Sequence, residues 1–368
     1  MRARTIATAA VLITTSVTAA ACGDSSSSGS GSESSGGTTT KAAKTNANPK
    51  VAMVIGLTSN AFMKTVGDGA EAGIAAVPGA KLTFTGPPAP DPTTETKMFR
   101  DVLATKPDGV AVMPLQASLW TRTLKDAAST GVPLLAFNEA PASPSPVKTF
   151  VGINDREAAE SLLQTLQDKI GGDAKGQIVL GNCIPGVATL DFRIKAYKEG
   201  IKRLFPNATV KGPFQTTTEP RANFDNWVKA MASTRDALAF IGNCDSDGPG
   251  LVKAKQETGV KGELMTFDID LEALRGIKAG TMLAALGEAP YVRGYISARL
   301  LAESAKTGKP VPEGFVNIKG EIVTAENVDD VLAREATPAA TKAAYQPYLD
   351  RFFQDPAAAI EPMTNVYK

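Results

Sequence analysis

From Val51 onward, short runs rich in Val, Ile, Leu and Phe alternate with longer stretches in which apolar positions recur at helical spacing. The pattern predicts strands at Val51–Leu57, Lys81–Thr85, Gly109–Pro114, Val132–Phe137, Gln177–Gly181, Thr209–Phe214, Ala237–Gly242, Glu263–Phe267 and Met282–Leu286. Helices are predicted between them at Lys64–Ala76, Thr94–Ala104, Leu119–Ser129, Arg156–Lys169, Phe192–Leu204 and Gly248–Glu257. Strand and helix alternating at intervals of about 25 to 30 residues implies parallel sheets with right-handed crossovers. The set runs twice, once over residues 50–152 and again from about Gln177, so the expected architecture is α/β with two doubly wound, Rossmann-like domains.

Ligands of such open sheets bind beyond the carboxyl ends of the strands, which makes the polar residues just after each strand the informative ones. They are Asn60, Gln116, Asn138, Asn182, Asp245, Asp268 and Glu288, with Phe62 and Phe224 nearby. Any one of them alone reads as a turn residue or a helix N-cap. Their recurrence at the same place in both halves points instead to the rim of a binding cleft.

The first fifty residues change the picture of where this body resides. Arg2 and Arg4 precede a mostly apolar run, Ile6–Val17, that is too short to span a bilayer, and Ala19-Ala20-Ala21 then lead into Cys22. This is an export signal over residues 1–21. The small residues before Cys22 resemble the lipobox of bacterial lipoproteins, with Ala19 where leucine is usual, and imply lipidation of Cys22. Cleavage at an ordinary A-x-A site is the alternative. Gly23 to Pro49, rich in Ser and Gly, reads as a flexible tether that would hold a globule roughly 30 Å from its anchor.

About 320 residues follow, more than one hydrophobic core usually serves, so two domains are expected. Basic and acidic residues balance at 39 and 38, which leaves no electrostatic footprint for nucleic acid. The chain has no histidine, which removes Ser-His-Asp and Cys-His nucleophiles and HExxH zinc sites; no metal and no cofactor is expected. If Cys22 is lipidated, Cys183 and Cys244 remain as a pair in an oxidising compartment. Both end similar runs, Ile178-Val-Leu-Gly-Asn-Cys183 and Phe240-Ile-Gly-Asn-Cys244. In a doubly wound sheet these first and third strands are neighbours, so a disulfide is expected between them.

With these motifs in view the chain resembles the type I periplasmic sugar-binding proteins, the ribose and galactose binding class that serves ABC importers, over roughly Pro49 to Asn327. Val54-Ile-Gly-Leu-Thr-Ser-Asn-Ala-Phe-Met63 and Asp68-Gly-Ala70 resemble the family's first strand and N-x-F-F loop, with Met63 where a second aromatic is common. Pro107-Asp-Gly-Val-Ala-Val-Met-Pro114 and Gly131-Val-Pro-Leu-Leu-Ala-Phe-Asn138 are similar to its third and fourth strands, the latter with Asn138 in place of the usual aspartate. Asp191-Phe-Arg193, with Tyr197 and Gly200, resembles the arginine-bearing helix start of the second domain. Met265-Thr-Phe-Asp268 resembles the G-x-D strand end, and Glu288-Ala-Pro290 with Gly294 the Q-x-P segment.

The resemblance implies a type I periplasmic binding protein fold with a three-segment hinge near Ile153–Asp155, Glu288–Pro290 and Phe315–Glu321. It implies an N-terminal lobe of residues 50–152 plus 290–316, a C-terminal lobe of 153–289 plus 317–335, and an extension, 336–368, expected to pack back on a domain. A sugar offers vicinal hydroxyls and an apolar ring face, so its site needs planar polar groups and apolar plates. Asn138, Arg193, Asp245, Asp268 and Glu288 could supply the former, with Asn60 and Gln116 as neutral partners; Phe62, Met63 and Phe224 could supply the latter. Arg193 is the only basic residue expected in the cleft, facing up to three carboxylates, which leaves room for a ligand amine or a protonated carboxylate.

The implied function is an extracytoplasmic, membrane-anchored monomer that captures a small polar ligand, foremost a sugar, and delivers it to an ABC permease. A ligand-sensing co-receptor of the same fold is the alternative, and an enzyme using the cleft carboxylates is a third reading. A DNA-binding repressor of this fold is excluded by the export signal.

Overall fold

The computed structural model describes residues 45–366. The expected signal segment, Cys22 and the tether up to residue 44 lie outside the described residues.

The first half of the chain forms β1 (Lys50–Val54), α1 (Ala61–Ala75), β2 (Lys81–Thr85), α2 (Pro92–Ala104), β3 (Gly109–Val112), α3 (Ala117–Ser129), β4 (Leu134–Phe137) and β5 (Thr149–Gly152). The second half repeats the theme with α4 (Asp155–Ile170), β6 (Gly176–Asn182), α5 (Ala188–Leu204), β7 (Ala208–Gln215), α6 (Pro220–Ser233), β8 (Ala239–Ile241), α7 (Asp247–Thr258), β9 (Glu263–Phe267), α8 (Leu271–Lys278) and β10 (Ala284–Gly287). The chain then returns through α9 (Pro290–Thr307) and β11 (Gly314–Asn317), and ends in β12 (Glu321–Val323), α10 (Val328–Arg334) and α11 (Pro338–Gln354).

Two six-stranded sheets result, ordered β11-β5-β4-β3-β1-β2 and β12-β10-β9-β8-β6-β7. Every pair is parallel except β10 with β12. The central strands β1, β3 and β8 are buried along nearly their whole length, as strands covered by helices on both faces must be. Helix starts follow local chemistry. Asn60, Asp91, Asn154 and Asp270 accept backbone N–H groups at the first turns of α1, α2, α4 and α8, and Pro92 and Pro290 occupy positions whose N–H would be unsatisfied anyway.

The chain passes from one sheet to the other three times: after β5, after β10 and after β11. The α9 segment is locked onto α1 by small residues. A Cβ on Gly69 would lie 2.0 Å from the Tyr291 carbonyl oxygen, and one on Gly294 would lie 1.9 Å from that of Val66, so the two backbones meet where no side chain fits.

One boundary differs from expectation. The tether was expected to run to Pro49, but its last residues are tied to the first lobe: the Asn46 amide side chain donates to Asp108 at 2.8 Å and its backbone N–H to Ala305 at 2.8 Å. The C-terminal segment does fold back. Tyr345 stacks on Tyr291 at 6.2 Å and Phe353 meets Tyr295 edge-on. Beyond α11, Glu361 exchanges two backbone hydrogen bonds with Phe315 on the edge strand β11, and Asn317 donates to its carboxylate.

Candidate functional site

A cleft with about 530 Å³ of empty space, its open mouth included, lies between the carboxyl ends of the two sheets. The first lobe contributes Leu57, Asn60, Phe62, Met63, Met113, Leu115, Asn138 and Glu139. The second contributes Cys183, Ile184, Val187, Leu190, Arg193, Thr218, Asn243, Cys244, Asp245 and Asp268, and Glu288 stands in the crossing segment after β10.

Each wall is held from behind. Asn60 caps α1 by accepting the Met63 N–H at 2.9 Å, which turns Phe62 and Met63 toward the opening. The buried Asp247 accepts from Asn223 and Trp227, both at 2.9 Å, and from the Asn243 backbone N–H at 3.0 Å, which fixes the turn carrying Cys244 and Asp245. Cys183 and Cys244 form the expected disulfide, with Cα atoms 6.3 Å apart, three positions or fewer past the paired ends of β6 and β8. Asn138 and Asp268 follow β4 and β9 with φ of 61° and 70°, a left-handed conformation costly for residues other than glycine and concentrated at functional positions.

The floor is an ion network. Arg193 is only 5 % exposed; it donates to Asp155 at 2.6 Å and to the Asn243 carbonyl at 3.1 Å, and pairs with Glu288 at 2.6 Å. Its guanidinium lies 4.0 Å over the Phe267 ring. Burial works against its charge, but Glu288, Asp155 and Asp268 outweigh it and hold its pKa above the ordinary value. Glu288, 1 % exposed, is gripped from the other side by Arg293 of α9, which also donates to Asn138. Glu288 therefore joins an arginine of each lobe. Around this floor burial pushes Asp245 up to about 6 and Glu139 to about 8. Asp268 is raised well above the usual carboxylate range, by burial first and then by the charges of Glu288 and Asp245.

Of the residues singled out from sequence, Asn60, Phe62, Met63, Asn138, Arg193, Asp245, Asp268 and Glu288 are brought together in this cleft. Two are not. β3 ends at Val112, earlier than expected, so Met113 and Leu115 turn inward and Gln116 sits exposed at the start of α3. Phe224 lies half-buried on α6, packed against the core of the second lobe with Arg221 over its ring at 5.6 Å. Arg193 is also not the only basic residue of the region. Arg293 went unread because α9 is buried almost all round, and its helix shows no polar face from which an inward arginine would stand out. The signal was present, an arginine within an apolar helix five residues after Glu288. Glu139, Asp155 and the apolar wall of Ile184, Val187 and Leu190 were likewise missed, since only the polar residue directly after each strand was read.

The comparisons with known proteins agree with this arrangement. The family description of a periplasmic binding protein domain matches residues 51–310, well over half of the chain. The chain belongs to this family. No curated protein matches it in sequence. Among solved structures, an ABC transporter solute-binding protein from Agrobacterium vitis, bound with α-D-tagatopyranose, is 24% identical with a TM-score of 0.68, covering 76% of this chain and 96% of that one. One from Burkholderia graminis in complex with D-arabinose is 20% identical with a TM-score of 0.70, covering 78% and 98%. A third, from Actinobacillus succinogenes with bound D-allose, is 16% identical with a TM-score of 0.70, covering 77% and 99%. At these identities the likeness shows the fold of a two-lobed periplasmic binding protein. Among the described residues no helix is long and apolar enough to cross a membrane.

Proposed function

We propose that this chain is an extracytoplasmic solute-binding lipoprotein that captures a small polyhydroxylated solute, a sugar, between its lobes and delivers it to an ABC importer. The observation that carries the reading is the cleft itself: planar polar groups from both lobes converge beside apolar plates at the carboxyl ends of two parallel sheets. The sugars named with the three structural neighbours support the same ligand class. Asn60, Asn138, Asp245 and Asp268 would bind hydroxyls, with Phe62 and Met63 against the ring face. Arg193 and Glu288, already bonded within the protein, form the floor on which the ligand rests. Two domains of this kind close over a solute by hinge bending, here about the three crossings between the lobes of 50–152 plus 290–316 and 153–289 plus 317–335. Cys22 would carry the lipid anchor and the chain would act as a monomer. We read the cleft carboxylates as binding groups rather than catalysts, because Asp155 and Glu288 are held in ion pairs.

A thermal-shift screen of the purified chain against neutral sugars, amino sugars and polyols tests this. A ligand bound by the native state alone at a hundred times its Kd adds about 2.7 kcal/mol of apparent stability. Raised melting by at least one such compound is expected; a flat response across all three classes would remove the reading.

A further inference from the structure

The cleft holds more carboxyl groups than its own guanidiniums pair with. Asp155 and Glu288 are paired with the two guanidiniums, and both guanidiniums are committed: Arg193 to Asp155, Glu288 and the Asn243 carbonyl, Arg293 to Glu288 and Asn138. Glu139, Asp245 and Asp268 line the same cavity and pair with neither, and among the described residues no lysine lines it. Among the described residues no hydrogen bond engages the Asp268 carboxylate, although its backbone is held at a φ of 70° with Phe267 clamped beneath Arg193. The Asp245 carboxylate accepts the backbone N–H of Ser246, its own neighbour, at 2.9 Å.

Partly buried carboxylates with no cation bonded directly to them are costly, and the upward pKa shifts of Asp245 and Asp268 express that cost. Either protons or a ligand cation must relieve it when the cleft closes. The walls favour the second. Phe62, Met63, Leu115, Val187 and Leu190 line the same cleft with apolar surface, which lowers the local dielectric and strengthens charge pairing inside. A neutral sugar can hydrogen-bond these carboxylates but brings no cation to them; a protonated amine does both.

Resting on the sugar-capture reading above, we propose that the ligand is a polyhydroxylated ring bearing a basic amine, its ammonium seated between Asp245 and Asp268. The apolar wall takes the ring face, and Asn60 and Asn138 bind hydroxyls from the opposite lobe.

Calorimetric titration of the full chain with matched series tests the charge directly: glucosamine against glucose and N-acetylglucosamine, and galactosamine against galactose and N-acetylgalactosamine. In at least one series the amine should bind tenfold or more tightly than both neutral members, in line with the strength of charge-assisted hydrogen bonds. Asp268→Asn should erase that preference while the variant melts at or above the wild-type temperature; Asp245→Asn provides the same readout if Asp268→Asn does not fold. Neutral members binding as tightly as the amine would overturn the proposal and leave sugar capture standing. The same holds if these series fail while a neutral sugar or polyol binds in the thermal-shift screen. Failure of every sugar, neutral or amino, would bring down the sugar-capture reading itself.

Discussion

The two lobes build the same backbone and then dress it differently. In each, the fourth strand of the repeat ends on a phenylalanine, and the next residue adopts a left-handed conformation at the cleft: Phe137-Asn138 in the first lobe, Phe267-Asp268 in the second. The first lobe places an amide there, and Arg293 bonds it. The second places a carboxylate, and among the described residues no side chain hydrogen-bonds it. The loops after the first and third strands differ as well. In the first lobe they meet by packing, with the Gly56 backbone against the Leu115 side chain; in the second they are joined covalently through Cys183 and Cys244. One fold thus yields a wall whose loops meet by packing and a wall whose loops are cross-linked and carry Asp245 and Asp268.

The largest expected effect separates the two arginines. Arg193→Ala leaves Asp155 and Glu288 buried with one partner lost, and breaking such a pair typically costs about 3 to 5 kcal/mol. Arg293→Ala removes one of two partners from Glu288 and leaves Arg193 in place, so its loss in chemical denaturation should be the smaller. Equal losses would show that Glu288, rather than the second lobe, carries the network.

Next in size is the covalent brace. Its sequence separation of 61 residues corresponds on the chain-entropy model to roughly 4 kcal/mol. Cys183→Ser with Cys244→Ser should lower the melting temperature and weaken ligand binding, because both residues line the cleft. Unchanged affinity would mean that the turn at Asp245 is held by Asp247 alone.

A smaller effect concerns pH. Burial raises the folded-state pKa of Asp245 to about 6, above its ordinary value, so the folded state binds the proton more tightly than the unfolded state. This residue therefore costs stability as pH rises from about 4 to about 6. Relative to wild type, Asp245→Asn should gain nothing near pH 4 and a constant margin above pH 6, measured as a difference in melting temperature. A margin independent of pH would show that the carboxylate is not buried as described. Smallest of all, Gln116→Ala should leave affinity within about twofold, since that side chain is exposed outside the cleft.

Much of this was legible because the strands read as short runs rich in apolar residues, most plainly where helices cover both faces, and nine of them were found near their observed places. The strands that escaped, β5, β11 and β12, are four residues long or fewer and lie beside the crossings. β5 follows a loop with prolines at 141, 144 and 146, so no helix-to-strand alternation announces it. The cleft was half legible for a related reason. Residues that end strands declare themselves by position, as Asn138 and Asp268 did. Arg293, Asp155 and Glu139 reach the site from helices and a loop, and only the packing of α9 on α1 and the crossings at 153–155 and 288–290 bring them there.

The central claim, that a solute is held between the lobes, is tested most directly by hydrogen–deuterium exchange with and without a ligand from the screen. Slowed exchange is expected in segments of both walls, residues 57–63 and 138–140 in one and 183–190 and 243–246 in the other. Protection confined to one lobe, or to the surface away from these segments, would contradict it.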